Sequence, residues 1–148
     1  MKYIAILILA FVTSACSVVP YDELNLDTTT NAKRPNAGMA GIYAYQWKSG
    51  ILGAHFDARF KITGQPIIKL NTGEYGYFQI PAGNYEYRSL AGIIPKHRDI
   101  TFKAGQNYFF RLSNSMTSTS TFLIRDQDEI DATKEKINSG WYELNTLD

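Results

Sequence analysis

The sequence predicts a mainly β fold, an antiparallel β-sandwich with one C-terminal helix, preceded by a signal peptide and a flexible tether. Ten Tyr and eight Phe residues occur among the 148, and aromatic side chains suit a pleated, half-buried surface better than a helix interior. Apolar and polar residues alternate in several short runs separated by Gly and Pro, as in strands joined by turns. Helical spacing is confined to the C-terminal part, and the length suffices for one domain with its own core.

The N-terminal residues 1–15 are predicted to be an export signal. Lys2 is followed by an unbroken apolar run from Tyr3 to Val12 in MKYIAILILAFVTSAC. That run is shorter than the roughly 20 residues of a transmembrane helix and matches the roughly 7–15 apolar residues of a secretory signal. The small residues TSA stand directly before Cys16, the one cysteine of the chain. This arrangement resembles the lipobox of bacterial lipoproteins.

The lipobox resemblance implies lipid attachment to Cys16. Signal cleavage would fall between Ala15 and Cys16, and the thiol and the new amino group would both carry acyl chains. At about 0.8 kcal/mol per buried methylene, two or three chains anchor a protein stably to a membrane. Ser17, rather than Asp, follows the cysteine, which by the same resemblance sorts the protein to the outer membrane. Thr13 replaces the usual Leu, so a buried or incidental thiol at the end of a plain signal peptide or an uncleaved anchor stays open as the alternative.

Residues 16–38 are predicted to be the lipidated tether, and residues 39–148 the folded domain. Between Ser17 and Gly38 the chain is rich in Asn, Thr, Asp and Pro and has neither helical nor alternating periodicity. Some twenty flexible residues would let the domain stand on the order of 25 Å from the bilayer.

The first two predicted strands differ in pattern. AGIYAYQW, over 40–47, is apolar on both faces and is therefore expected in the centre of a sheet. ARFKIT alternates, with Ala58, Phe60 and Ile62 facing inward. A turn at 64–66 then leads to the strand IIKLN.

Two hairpins are predicted next, because turn residues separate two alternating runs in each case. The first turns at PAGN, 81–84, and places Tyr85 and Tyr87 on one face of the returning strand. The second turns at AGQN, 104–107, and a last strand is expected around 122–124.

The one predicted helix follows these strands. Asp126 suits the N-cap, and Glu129 stands where a capping box has its second partner. Gly140 suits the end of the helix. The face that packs on the sheet is predicted from residues at helical spacing, Ile130, Lys134, Ile137 and Trp141.

Three stretches carry a family resemblance: GIYAYQ, FKITGQPIIKLNTGEYGYFQIPAGNYEYRS and ITFKAGQNYFFRL. They resemble an uncharacterised, domain-of-unknown-function family of small bacterial lipoproteins, over roughly 40–112. IPAGNY is also similar to the turn of PEGA-type β modules. The resemblance implies a compact β-sandwich in which Gly64, Gly83 and Gly105 stand where backbone geometry requires glycine. It transfers no catalytic residue.

Charge and side-chain chemistry argue against several classes of function. The formal net charge is +1, and Lys2 is the only charge before Cys16, so the remainder offers no basic field for nucleic acid. His55 and His97 have no further His or Cys at ligand spacing, which predicts neither a metal site nor a cofactor. We therefore expect no enzymatic activity.

Aromatic side chains are the one feature that suggests binding. Tyr and Trp platforms stack on sugars or partner side chains, and alternation within the strands favours core packing for most of them. The residues of the possible binding surface are Tyr43, Tyr45, Trp47, Tyr85 and Tyr87.

The sequence therefore predicts a lipid-anchored envelope protein, held in the outer membrane and facing the periplasm, with a non-catalytic structural or interaction role. Its expected partners are the membrane, through Cys16, and other envelope proteins. The alternative is a binding module that recognises glycan or peptide through exposed aromatic residues.

Overall fold

The architecture is taken from a computed structural model, which describes residues 33–47, 57–90, 97–114 and 118–146. Nine strands and one helix lie in these ranges. In chain order they are β1 (Met39–Gln46), β2 (Ala58–Ile62), β3 (Ile67–Leu70), β4 (Glu74–Pro81), β5 (Gly83–Ser89), β6 (His97–Phe102), β7 (Asn107–Asn114), β8 (Thr119–Leu123), α1 (Gln127–Asn138) and β9 (Glu143–Leu144).

The strands form two sheets. Sheet A has the order β8-β7-β1-β4-β9, and sheet B the order β3-β2-β5-β6. The mainly β sandwich with a C-terminal helix is confirmed. Most neighbouring strands are antiparallel as expected, whereas β1–β7 and β4–β9 are parallel. Both parallel pairs join strands that are far apart in the chain, so no local turn dictates their direction.

The sandwich core lies between the two sheets. Ile42 and Phe110 from sheet A and Phe60 and Tyr87 from sheet B are among its buried members. The rings of Phe60 and Phe110 are 4.8 Å apart. The inward faces predicted for β2 are confirmed, because Ala58, Phe60 and Ile62 are all fully buried.

A second apolar layer, the outer layer, lies on the other side of sheet A, where α1 packs. Its buried members are Tyr43, Tyr45, Phe109, Ile124, Ile130 and Tyr142. Strand β1 is therefore buried on both faces, and the prediction of a central strand is confirmed.

The predicted residues Asp126 and Gly140 stand at the two ends of α1. The Asp126 carboxylate accepts a hydrogen bond from the Glu129 backbone N–H at 2.8 Å. At the other end Gly140 has a φ of 74°, and the Trp141 N–H donates to the Lys136 carbonyl at 2.9 Å, which closes the helix. The prediction that Trp141 packs on the sheet is wrong: it is 54% exposed and Tyr142 is buried instead. Helical spacing no longer applies after the left-handed glycine.

Both predicted hairpins are wrong. Strand β4 lies in sheet A and β5 in sheet B, and likewise β6 lies in sheet B and β7 in sheet A. The turns at 81–84 and 104–107 therefore carry the chain from one sheet to the other. Gly105, with a φ of 77°, needs glycine as expected, whereas Gly83 is not in the left-handed region. Alternating runs joined by a turn look the same in both arrangements, because the pattern does not specify the hydrogen-bonding partner.

Gly41, in the middle of β1, is required by packing. A Cβ atom built there would overlap Asn107 Oδ1 and lie 3.0 Å from the Tyr77 ring. Asn107 is fully buried on the neighbouring strand, directly opposite Gly41 in the β1–β7 pair. Only a residue without a side chain leaves room for the Asn107 amide.

We expect Gly41→Ala to destabilise the domain by roughly 1–3 kcal/mol, because the new methyl group must displace Asn107. Gly83→Ala is the control, since a Cβ there meets only an ordinary contact at 3.5 Å. Urea unfolding measures both variants. Adding Asn107→Ala to Gly41→Ala should recover part of the loss. Equal stability of the two single variants would contradict the steric explanation.

Candidate functional site

The predicted lipidation, cleavage and sorting residues, Ala15, Cys16 and Ser17, lie outside the described residues. The described chain begins at Lys33, which is 17 positions after Cys16. In the described part of the chain, no helix has the length and hydrophobicity that a membrane crossing requires.

The last six residues of the predicted tether, 33–38, form a docking segment on the outer side of sheet A. The Lys33 N–H donates to the Tyr43 hydroxyl at 2.8 Å, and the Lys33 carbonyl accepts from Asn107 Nδ2 at 3.1 Å. The Asn36 N–H donates to Gln79 Oε1 at 2.7 Å. These contacts fix the point at which the chain enters the domain.

The five aromatic residues of the predicted binding surface do not form one surface. Tyr43, Tyr45 and Tyr87 are buried, with 4%, 1% and 4% exposure, so none of them can contact a ligand directly. Tyr85 is partly buried and packs 5.5 Å from the Phe102 ring. Trp47 is 43% exposed. As a single surface the prediction is wrong, because both faces of β1 are covered and Tyr87 faces the sandwich core.

Tyr43 and Tyr45 connect the parts of the outer layer. Tyr43 stacks on Phe109 with ring centres 5.0 Å apart. The Tyr45 hydroxyl donates to Glu129 Oε1 in α1 at 3.1 Å. Burial raises the pKa of Tyr43 from 10.0 to about 12. Burial, with the Glu129 carboxylate adding to it, raises the pKa of Tyr45 well above its ordinary 10.0.

The exposed site lies beside this layer and is a cation–aromatic cluster of Trp47, Arg111, Phe122 and Lys136. The Arg111 guanidinium carbon is 5.5 Å from the Trp47 ring centre and 5.2 Å from the Phe122 ring centre. Lys136 Nζ lies 5.2 Å from the Trp47 ring centre. Trp47 and Phe122 are 43% and 39% exposed, so large apolar rings and positive charge reach solvent together.

Four elements position this cluster. Arg111 in β7 is paired with Tyr45 in β1 and with Phe122 in β8, and Lys136 lies in the last turn of α1. Arg111 Nη1 donates to Glu129 Oε1 at 2.6 Å, and both side chains are 28% exposed. One carboxylate oxygen thus holds both the buried Tyr45 hydroxyl and the Arg111 guanidinium.

The arrangement is suited to binding. A guanidinium carries five N–H donors in a planar fork, and Glu129 holds it in place beside two aromatic rings. Acceptors on a partner can use the remaining donors, while apolar groups contact Trp47 and Phe122. Sequence reasoning identified Trp47 alone. Arg111 did carry a signal, as the one charged residue in the otherwise apolar run YFFRL.

The remaining candidates for chemistry are the two histidines and the acidic run DQDEID. His55 lies outside the described residues, and His97 is the first residue of β6, with Nδ1 2.5 Å from Glu86 Oε1. In the described ranges, no three His, Cys, Asp or Glu side chains are close enough together to hold a metal ion. The acidic run DQDEID begins α1, where Asp126 is the N-cap and Glu129 binds Arg111.

The buried tyrosines predict a loss of stability at alkaline pH. In the unfolded chain Tyr43 and Tyr45 ionise near pH 10, while in the folded protein they keep their protons to higher pH. The contribution of these two tyrosines to the free energy of unfolding is therefore complete below about pH 10. It falls as pH rises toward 12, by about 1.4 kcal/mol for each unit of pKa shift. The urea midpoint should fall steeply over this range and less steeply in Tyr45→Phe. A midpoint that does not change from pH 9 to about 11 would contradict this account.

The chain matches a family described as a protein of unknown function (DUF2846) over residues 36–123. No curated protein matches it. The matched range begins within the docking segment and ends at the last residue of β8, so it contains β1 to β8 and precedes α1. Trp47, Arg111 and Phe122 fall inside it, whereas Lys136 and Glu129 do not. Because the match covers more than half of its length, the chain belongs to the DUF2846 family of proteins of unknown function.

Proposed function

We propose that this protein is a lipoprotein anchored through Cys16, whose β-sandwich has a non-catalytic interaction role in the cell envelope. The observation that carries the interaction role is the cation–aromatic cluster, in which Trp47 and Phe122 are exposed on either side of a fixed Arg111. The proposed location is the outer membrane, facing the periplasm.

The N-terminal sequence supports the anchoring. MKYIAILILAFVTSAC combines a short apolar run with a cysteine directly after small residues, and Ser17 follows it. From Cys16 to the docking segment the chain has 17 residues, which as a flexible chain span roughly 20–25 Å. The proposal includes the likeness of IPAGNY to the turn of PEGA-type β modules. In this structure that stretch links sheet A to sheet B.

The geometry of the cluster supports a protein or peptide partner. Arg and Trp are enriched among the residues that contribute most to interfaces, and a side chain that is already held in place loses less conformational entropy on binding. Arg111 is held by Glu129 at 2.6 Å. A segment that carries both an apolar side chain and a carboxylate or carbonyl oxygen would satisfy the rings and the guanidinium together.

Glycan recognition is the second candidate, favoured by the exposed Trp47 ring. Sugars stack on the faces of aromatic rings, and this ring has Arg111 at 5.5 Å and Lys136 at 5.2 Å from its centre. These cations leave less of the ring face free for a sugar. The geometry therefore supports a peptide segment better than a glycan.

The anchoring is tested by Cys16→Ser in a bacterial host that processes lipoproteins. Without the thiol no diacylglyceryl group can be attached, so acyl labelling should be lost and the protein should stay unprocessed or leave the membrane fraction. Metabolic labelling with a fatty acid and membrane fractionation measure this outcome. Unchanged labelling and processing in the variant would contradict lipidation at Cys16.

The interaction role is tested by placing a photoreactive amino acid at position 122 in the native envelope. We expect a defined adduct that is reduced about thirtyfold when Trp47 is changed to Ala, because hot-spot aromatics contribute on the order of 2 kcal/mol. The matched control is the same photoreactive residue at Ile67, which is 51% exposed on sheet B. Equal adducts from both positions would contradict the proposal, and a carbohydrate adduct would favour the second candidate.

A further inference from the structure

We propose that the outer face of sheet B binds a phosphate group through a basic row, defined as Lys61, Arg88 and His97. These residues stand side by side on three neighbouring strands: Lys61 in β2 pairs with Arg88 in β5, and Arg88 pairs with His97 in β6. Adjacent strands are about 4.8 Å apart, so the three side chains form one continuous line across the sheet.

The basic row points away from the sandwich core. Its sequence neighbours Phe60, Ile62 and Tyr87 are buried in that core, and successive side chains of a strand alternate between faces. All three basic residues line one open groove of about 280 Å³. Such a volume suits a phosphate group with a small substituent rather than a large ligand.

Two of the residues in this row, Lys61 and Arg88, have no ion-pair partner in the described part of the chain. Like charges directly opposite each other destabilise a sheet, yet Lys61 faces Arg88 in register. Neither of these two residues makes a side-chain hydrogen bond or ion pair with any described residue. Glu86 faces the same groove, and its carboxylate is held by His97 Nδ1 at 2.5 Å.

A second like-charge pair on the same face provides an internal comparison. Arg59 and Lys69 are also directly opposite each other, but Asp57 Oδ2 lies 3.2 Å from Arg59 and 3.1 Å from Lys69. That pair has its own carboxylate, whereas the Lys61–Arg88 pair has none in the described part of the chain. We infer that an external anion takes the corresponding position.

Phosphate matches the site in charge and in donor geometry. Lys61 and Arg88 carry two positive charges, and the Glu86 carboxylate in the same groove has its Oε1 at His97 Nδ1. A phosphate monoester carries about −1.5 to −2 at neutral pH. The planar fork of arginine bonds two phosphate oxygens at once, and a lysine adds a compact charge. The ligand is therefore a phosphate group, either of a lipid headgroup or of a soluble phosphorylated molecule.

The test is acetylation footprinting of Lys61 in the full chain, with Lys69 as control within the same molecule and on the same face. Inorganic phosphate is compared with chloride at equal ionic strength. At ten times the dissociation constant, phosphate should slow acetylation of Lys61 about tenfold and leave Lys69 unchanged. This arm does not depend on the lipid anchor, so it stands whatever the outcome for Cys16.

The two sources of phosphate are separated by a second arm, in which the anchored chain is placed in phosphatidylcholine vesicles with or without phosphatidic acid. Protection of Lys61 by phosphatidic acid alone supports a lipid headgroup, and protection by inorganic phosphate supports a soluble ligand. Protection in neither arm, or equal protection of Lys61 and Lys69, overturns the proposal.

The variant Arg88→Gln should abolish protection of Lys61 while the protein stays folded, because the change removes a like-charge contact from the sheet. Its urea midpoint is expected at or above that of the native protein. Undiminished protection of Lys61 in a folded Arg88→Gln protein would also overturn the basic row as a phosphate site.

Discussion

The burial of β1 on both faces is the constraint on which the rest of the structure depends. Ile42 and Ala44 fill the sandwich core, so Tyr43 and Tyr45 must point to the other side of sheet A. A buried tyrosine hydroxyl usually has a hydrogen-bond partner, because leaving it without one costs free energy. The Lys33 N–H supplies one partner and Glu129 the other. Hydrogen bonds to the hydroxyls of Tyr43 and Tyr45 therefore hold the docking segment and α1 over sheet A.

The same requirement positions the candidate binding site. Glu129 satisfies the Tyr45 hydroxyl and at the same time fixes Arg111 between Trp47 and Phe122. A buried hydroxyl and an exposed guanidinium thus share one carboxylate oxygen. Glu129 therefore couples the stability of the domain to the position of the cluster. A substitution of Glu129 removes a hydrogen-bond partner from the buried Tyr45 hydroxyl, which costs free energy, and removes the ion-pair partner of Arg111.

Local patterns predicted what local interactions determine. The inward face of β2, the central position of β1, the Asp126 cap and the left-handed Gly105 all depend on neighbours in sequence, and the structure confirms each. The turn at 81–84 was misjudged because strand pairing is decided by distant strands, namely β1 for β4 and β6 for β5. The cation–aromatic cluster was missed for the same reason, since register and helix packing bring its members together from β7, β8, α1 and the end of β1.

The two outer faces of the sandwich differ in what covers them, and this difference bears on orientation at a membrane. Sheet A is covered by α1 and the docking segment, whereas sheet B presents a charged face that contains Lys61 and Arg88. Packed sheets are about 10 Å apart, and the part of the proposed tether before the docking segment, residues 16–32, would span roughly 20–25 Å as a flexible chain. Such a tether is long enough to let either face approach the bilayer. Under the proposed anchoring, the orientation of the domain at the membrane is therefore set by the side chains that bind to it. A phosphate-rich membrane surface would favour contact through sheet B. The cation–aromatic cluster would then lie on the side away from the membrane, where a protein partner can reach it.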